Sequence, residues 1–244
     1  MKDEKSMTKI ATRIWHPILE KFDRKIEAAC LRRDAFLSRV LQIELDCLDD
    51  EIRIPNSTEA REFIAARLDL LDRKSVGLTL PADQVIRLNE ICRVKRMPRD
   101  AFFNRLYLLL ASSPNAIDHL LFQNDSDWKA AVKERFDMPD DLYPLSNTSI
   151  DPFWAIREGF SILQESNDLI DYQEPETGKM IKVIADVPGG YLPPPSVYAT
   201  VFDDKKIRDS DLYGLNCYIA DRYIPGNPAD VARRKTLDEI FAEL

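Results

Sequence analysis

Few residues in this 244-residue chain combine a type and a spacing that could do chemistry, and number or spacing excludes most of them. A nucleophile needs a positioned base, yet the only histidines are His16 and His119, and no Cys/His or Ser/His/Asp arrangement can be built on them. Cys30, Cys47, Cys92 and Cys217 form no CxxC pair and offer no zinc spacing. Paired carboxylates, Asp203-Asp204 or Asp140 with Glu176 and Lys179, fit no nuclease metal pattern. Tyr191, Tyr198, Tyr213, Tyr218 and Tyr223 read as core or protein interface rather than a cofactor pocket. The expectation is a protein that is not an enzyme and carries no metal and no cofactor.

The most informative residues are cationic and duplicated. Arg33-Asp34-Ala35-Phe36-Leu37-Ser38-Arg39 returns as Arg99-Asp100-Ala101-Phe102-Phe103-Asn104-Arg105, an offset of 66 residues. Without a gap, the same offset lays Ile10 on Val76, Ile14 on Leu80, Leu19 on Val85, Phe22 on Leu88, Val40 on Leu106 and Ile43 on Leu109. Two copies are too few for a solenoid, so a pair related by a pseudo-twofold axis is expected.

The elements that must position these runs follow from periodicity. Residues 9–15 alternate, with Ile10, Thr12 and Ile14 on one side and Lys9, Ala11 and Arg13 on the other, which is a strand. Pro17 suits the first turn of a helix, whose stripe is Leu19, Phe22, Ile26, Ala29 and Cys30. After the basic break Arg32-Arg33, a second helix carries Phe36, Leu37, Val40, Leu41, Leu45 and Leu48. A connector over 49–73 contains a helix start at Asn56-Ser57-Thr58-Glu59. The second unit repeats the order: strand 75–81, a helix through Val85, Leu88, Ile91 and Cys92, the basic turn Lys95-Arg96-Met97-Pro98-Arg99, and a helix from Asp100 to about Ala111.

Charge divides the chain. Residues 1–112 hold 21 Lys+Arg and 18 Asp+Glu, a balance of +3, whereas residues 113–244 hold 13 and 24, a balance of −11. Only one of the seven glycines, Gly77, precedes residue 150, and eleven of the fifteen prolines lie beyond 113, so turn chemistry divides at the same place. The expected organisation is a flexible tail over 1–8, repeat units over 9–48 and 74–113 joined by the helical connector 49–73, and an acidic α+β region over 114–244. The fold class expected is mainly α with a two-stranded antiparallel ribbon, followed by the smaller α+β region. The charged N-terminus lacks the apolar stretch of a signal peptide, the run Leu106–Ala111 is too short to span a bilayer, and unpaired cysteines fit a reducing cytosol.

The second copy, with strand Val76-Gly77-Leu78-Thr79-Leu80, then Pro81, Val85, Leu88, Ile91, a turn and Arg99-Asp100-Ala101-Phe102, resembles the ribbon-helix-helix family of bacterial DNA-binding proteins, which includes the Arc and MetJ repressors. The first copy resembles a diverged member, with Trp15-His16 in place of Pro81-Ala82. The resemblance covers about residues 9–112. It implies that two strands pair into an antiparallel ribbon that enters the major groove of double-stranded DNA. Base edges would then face Lys9, Ala11, Arg13, Ser75, Gly77 and Thr79, with Arg13 and Lys9 as donors to guanine. Gly77 would mark a close approach of backbone or ligand. Phosphates would be met from the turns by Arg32, Arg33, Lys95, Arg96 and Arg99, although Arg33 and Arg99 are also placed to pair with nearby carboxylates. Family members commonly carry Ser or Thr at the cap of the second helix; here Arg32 and Pro98 stand there, with Asp34 and Asp100 two residues on.

The back half resembles no known family. Helices are expected from Ser126-Asp127-Trp128 to about Phe136, through Phe153, Ile156, Phe160 and Leu163, and from Pro228 to Leu244; strands are expected at 180–184 and 197–202, separated by Gly189-Gly190 and Pro193-Pro194-Pro195. The functional expectation is a cytoplasmic, bacterial or phage-encoded transcriptional repressor that reads DNA with an intramolecular ribbon. Residues 114–244 would bind a protein partner or build a homo-oligomer. The alternative is an antitoxin-like or other inhibitor protein whose C-terminal region holds the partner and whose DNA binding is only autoregulatory.

Overall fold

Apolar and polar residues alternate over 7–15 and 73–81, and a two-stranded ribbon with that pattern persists only if helices cover its apolar face. A computed structural model of the chain describes residues 6–122, 151–165, 169–173, 178–185, 191–202 and 212–228, with positions 231, 235 and 242. The first elements are β1 (Met7–Trp15), α1 (His16–Ala28), α2 (Arg33–Glu51), α3 (Thr58–Asp69), β2 (Arg73–Pro81), α4 (Ala82–Val94), α5 (Arg99–Ala111) and α6 (Pro114–Leu121). They are followed by α7 (Trp154–Glu165), β3 (Leu169–Gln173), β4 (Met180–Ala185) and β5 (Tyr191–Leu192). β1 starts at Met7, so the expected tail over 1–8 already belongs to the ribbon at its last two residues.

The architecture is mixed α/β. β1 and β2 form one antiparallel two-stranded sheet, and β3, β4 and β5 form a second antiparallel sheet in sequence order. In the first sheet Met7 faces Pro81, Lys9 faces Thr79, Ala11 faces Gly77 and Trp15 faces Arg73. Ile10, Thr12, Ile14, Val76, Leu78 and Leu80 point into the core, and all are buried. The helices that cover them are exchanged between copies. α1 packs on α5 and α2 on α4, with the Phe22 ring 4.5 Å from that of Tyr107 and the Gln84 amide donating to the Ser38 carbonyl at 2.9 Å. Neither copy could bury its apolar faces alone.

The two inter-helix turns also match. Cys30 (φ 55°) and Arg96 (φ 49°) stand at equivalent positions in the left-handed region, where the next residue returns its N–H to the carbonyl five residues back, Leu31 to Ile26 at 3.0 Å and Met97 to Cys92 at 2.9 Å.

Residues beyond 113 share the core of the first half: Phe153, Ile156, Phe160, Tyr198, Phe202 and Leu215 are buried in the same cluster as Leu37, Phe102 and Leu109. Two buried charged residues bind the halves together. Glu44, fully buried on α2, accepts from Arg157 of α7 at 2.8 and 3.2 Å and from the Tyr198 hydroxyl. Burial pushes its carboxyl upward against the opposing pull of Arg157. Arg105 of α5 donates to the carbonyls of Val197 and Thr200, both at 2.6 Å, and to Asn216 Oδ1 at 3.1 Å, under the Phe202 ring. Asn56, buried ahead of α3, accepts from Ile219 N–H and donates to the Cys217 carbonyl.

One expected strand is absent. Residues 197–200 form a turn and 201–202 join no ladder, because Ser196 Oγ accepts from Ala199 N–H at 2.8 Å, Thr200 Oγ1 accepts from Ser196 N–H at 3.0 Å, and Arg105 takes two carbonyls. Local hydroxyl bonds of this kind offer the backbone an alternative to a ladder. The expected helix from Ser126, the Gly189-Gly190 break, and Asp140, Glu176, Asp203 and Asp204 lie outside the described residues. Of the expected terminal helix, the described positions Pro228, Val231, Lys235 and Ala242 are helical. Among the described residues no helix is long and apolar enough to cross a membrane.

Candidate nucleic-acid interface

The outer face of the ribbon follows from the same alternation that builds the core. Lys9, Ala11, Arg13, Ser75, Gly77 and Thr79 are all exposed, and the register pairs them with one another: Lys9 with Thr79, Ala11 with Gly77, Arg13 with Ser75. All six expected base-reading positions therefore share one small face with two cations. The side chains of Lys9 and Arg13 have no hydrogen-bond or ion-pair partner among the described residues, which leaves them open to a ligand. Gly77 has a local role in this face. A Cβ there would lie 3.3 Å from the Lys9 Cε, so the glycine makes room for the lysine stem that crosses it.

A two-stranded ribbon also presents two free edges, each with unpaired N–H and C=O groups. The duplicated Arg-Asp dipeptides occupy them. On the β2 edge, Arg33 donates to the Gly77 carbonyl at 3.1 Å and Asp34 accepts from Thr79 N–H at 2.9 Å. On the β1 edge, Arg99 donates to the Ala11 carbonyl at 2.8 Å and Asp100 accepts from Arg13 N–H at 3.3 Å and from the Thr12 hydroxyl at 2.8 Å. These are the same contacts made twice, each copy gripping the other's strand. The β1 edge continues, with Asn104 accepting from Trp15 N–H and donating to the Arg13 carbonyl, both at 2.7 Å. Its counterpart Ser38 has no such task, since Pro81 stands where Trp15 does and has no N–H.

Five residues expected at phosphates are divided by this geometry. Arg32 is exposed beside the β2 edge. Arg33 and Arg99 sit on the ribbon edges, with part of each guanidinium spent on a strand carbonyl. Lys95 and Arg96 are elsewhere: Lys95 binds the carboxylate and carbonyl of Asp49, and Arg96 reaches the Asn56 carbonyl. Asp49 is fifteen residues along α2 from Asp34, or about 22 Å from the ribbon edge along the helix axis.

Two open grooves flank the ribbon. The larger, about 690 Å³, runs along the β2 edge, with Arg32, Arg33, Asp34, Arg39 and Thr79 in its lining. The smaller, about 390 Å³, runs along the β1 edge, where Arg13, Arg61, Arg73, Arg99, Asp69 and Asp100 meet. Arg39 and Arg61 were not anticipated. The gap-free alignment of the copies, which puts Arg39 on Arg105, was the available signal for the first; for Arg61, in the connector, the sequence offers none. Both grooves thus offer guanidinium donors along an open edge, beside the carboxylates of Asp34 on one side and of Asp69 and Asp100 on the other. The chain matches no family model, no curated protein and no solved structure.

Proposed function

We propose that this protein binds double-stranded DNA sequence-specifically, placing the outer face of the β1–β2 ribbon in the major groove, and that it acts as a transcriptional repressor in the manner of a tandem ribbon-helix-helix pseudo-dimer. The observation that carries this reading is the face itself: six exposed ribbon positions carrying Lys9 and Arg13, with their side chains unengaged, between two arginine-lined grooves. A major groove admits a two-stranded ribbon, and arginine and lysine donate to guanine O6 and N7. The grooves would follow the phosphates on either side and set the register, while the ribbon reads bases.

The test uses the full chain and the duplexes it retains from a random-sequence library. Arg13→Ala should lower affinity for the retained sequence by about 1–3 kcal/mol and relax the preference at one position, with an unchanged melting curve. Unchanged affinity and preference would remove the base-reading role. The surplus of carboxylates beyond residue 113 favours one second reading, an inhibitor whose C-terminal region holds a protein partner. Retention of no DNA by the full chain would favour that reading.

A further inference from the structure

The two grooves are counterparts under the 66-residue offset: Thr79 corresponds to Arg13, Arg33 to Arg99 and Asp34 to Asp100. Their remaining cations are not conserved between the copies. On the β2 side the groove has Arg32 and Arg39, both exposed and without a side-chain partner among the described residues. On the β1 side Pro98 replaces Arg32, and the counterpart of Arg39 is Arg105, fully buried and committed to Val197, Thr200 and Asn216. The second copy thus lacks both of the free arginines that the first copy presents.

Besides Arg13 and Arg99, two further arginines stand in the same groove. Arg73, on β2, is spent on Asp69 and Asp100. Arg61, on the exposed side of α3, is not: it lines the groove with Arg13 and Arg99 and has no side-chain partner among the described residues. α3 is held rigidly enough to present it. Ser57 caps the helix by accepting from Ala60 N–H at 3.0 Å, Ile64 and Leu68 are buried, and Asn56 is stapled to the segment 217–219.

Building on the DNA-binding reading above, we infer that Arg61 is a backbone-phosphate contact, by which the connector helix supplies the half of the clamp that the second copy lacks. The bound duplex is then gripped by Arg32, Arg33 and Arg39 on the β2 side and by Arg61 and Arg99 on the β1 side, so the connector is part of the binding surface.

The test compares Arg61→Ala, Arg61→Lys, Arg13→Ala and a charge control outside both grooves, Lys182→Ala, in the full chain. Each is titrated over a range of salt against a random-sequence 30-bp duplex and against a duplex the protein selects. Arg61→Ala should lower the slope of log affinity against log salt by about 0.9 and weaken both duplexes alike, roughly 5–10-fold at 0.1 M salt. Arg61→Lys should restore the slope, and Lys182→Ala should leave it unchanged. A wild-type slope for Arg61→Ala, with Arg13→Ala still weakening the selected duplex, overturns the inference and leaves the DNA-binding reading standing. Equal losses in Arg61→Ala and Lys182→Ala overturn it as well, because the effect would then be one of net charge. Failure of the wild-type chain to bind either duplex overturns both.

Discussion

Ala11 and Gly77 face each other at the middle of the ribbon, and they are the same position in the two copies. Any pairing in which equivalent residues meet must lie on a twofold axis, so this contact locates the pseudo-dyad that relates residues 7–45 to 73–111. Register is enforced from both sides. A slip by one residue would send Lys9 and Arg13 into the core and turn Ile10 and Ile14 outward. It would also lift Asp34 and Asp100 from the N–H groups of Thr79 and Arg13. The smallness of Ala11 and Gly77 leaves room at the centre of the outer face for the Lys9 stem, which crosses Gly77.

The edge contacts repeat but their surroundings do not, which predicts unequal costs. Asp100 serves the buried Thr12 hydroxyl, Arg13 N–H and Arg73, whereas Asp34 serves Thr79 N–H and lies next to Arg33. Asp100→Ala leaves a buried hydroxyl without its acceptor, at about 1–3 kcal/mol. Asp34→Ala exposes its partner to water, and the loss should stay below about 1 kcal/mol. Urea unfolding of the two variants measures this directly; equal losses would mean that the edges bear the same load.

Arg39 and Arg105 are equivalent by sequence and opposite in role. Arg105→Met strands three acceptors in the core, at a cost of at least about 3 kcal/mol, and should loosen the turn at 196–200. Arg39→Met should change stability by no more than about 0.5 kcal/mol. Thermal melts with limited proteolysis give the readout. A stable, protease-resistant Arg105→Met protein would show that the back half docks without this residue.

Much of this was legible in the sequence, for a physical reason. Strand alternation and the 66-residue offset are local or periodic, so the ribbon, its exposed face and the helices of each unit could be read from residue order. What escaped depends on partners far along the chain. Glu44 meets Arg157 113 residues away, and Arg105 meets Thr200 95 residues away; nothing near either marks it as buried. The turn at 197–200 was misread as a strand for the same cause, since Val197, Tyr198, Val201 and Phe202 have strand composition while Ser196, Thr200 and Arg105 decide the backbone.

Gly214 tests how tightly the back half sits on the connector. A Cβ at that position would lie 2.6 Å from the Leu68 backbone nitrogen and 2.8 Å from its Cα, and backbone cannot swing aside as a side-chain tip can. Gly214→Ala should cost about 1–3 kcal/mol by overpacking. Gly77→Ala, which meets only the flexible end of Lys9, should stay within about 0.5 kcal/mol. Comparable losses in the two variants would place the strain elsewhere.

The four free thiols separate by burial, and the separation can be read by alkylation. Cys30 is exposed, whereas burial pushes the thiols of Cys92 and Cys217, and of half-buried Cys47, up to about 12. The thiolate is the nucleophile, so iodoacetamide at pH 8 should modify Cys30 alone in the native protein, and all four in urea. The same shift makes stability pH-dependent. An acid that holds its proton more tightly when folded contributes fully below its unfolded pKa near 9.0, and that contribution is lost as pH rises toward the folded value of about 12. Ionisation of Cys92 and Cys217 should therefore lower stability progressively across that interval. Urea midpoints should be flat from pH 7 to 8.5 and fall between pH 9.5 and 11. Rapid labelling of Cys217 without denaturant would show that the core joining the two halves opens readily.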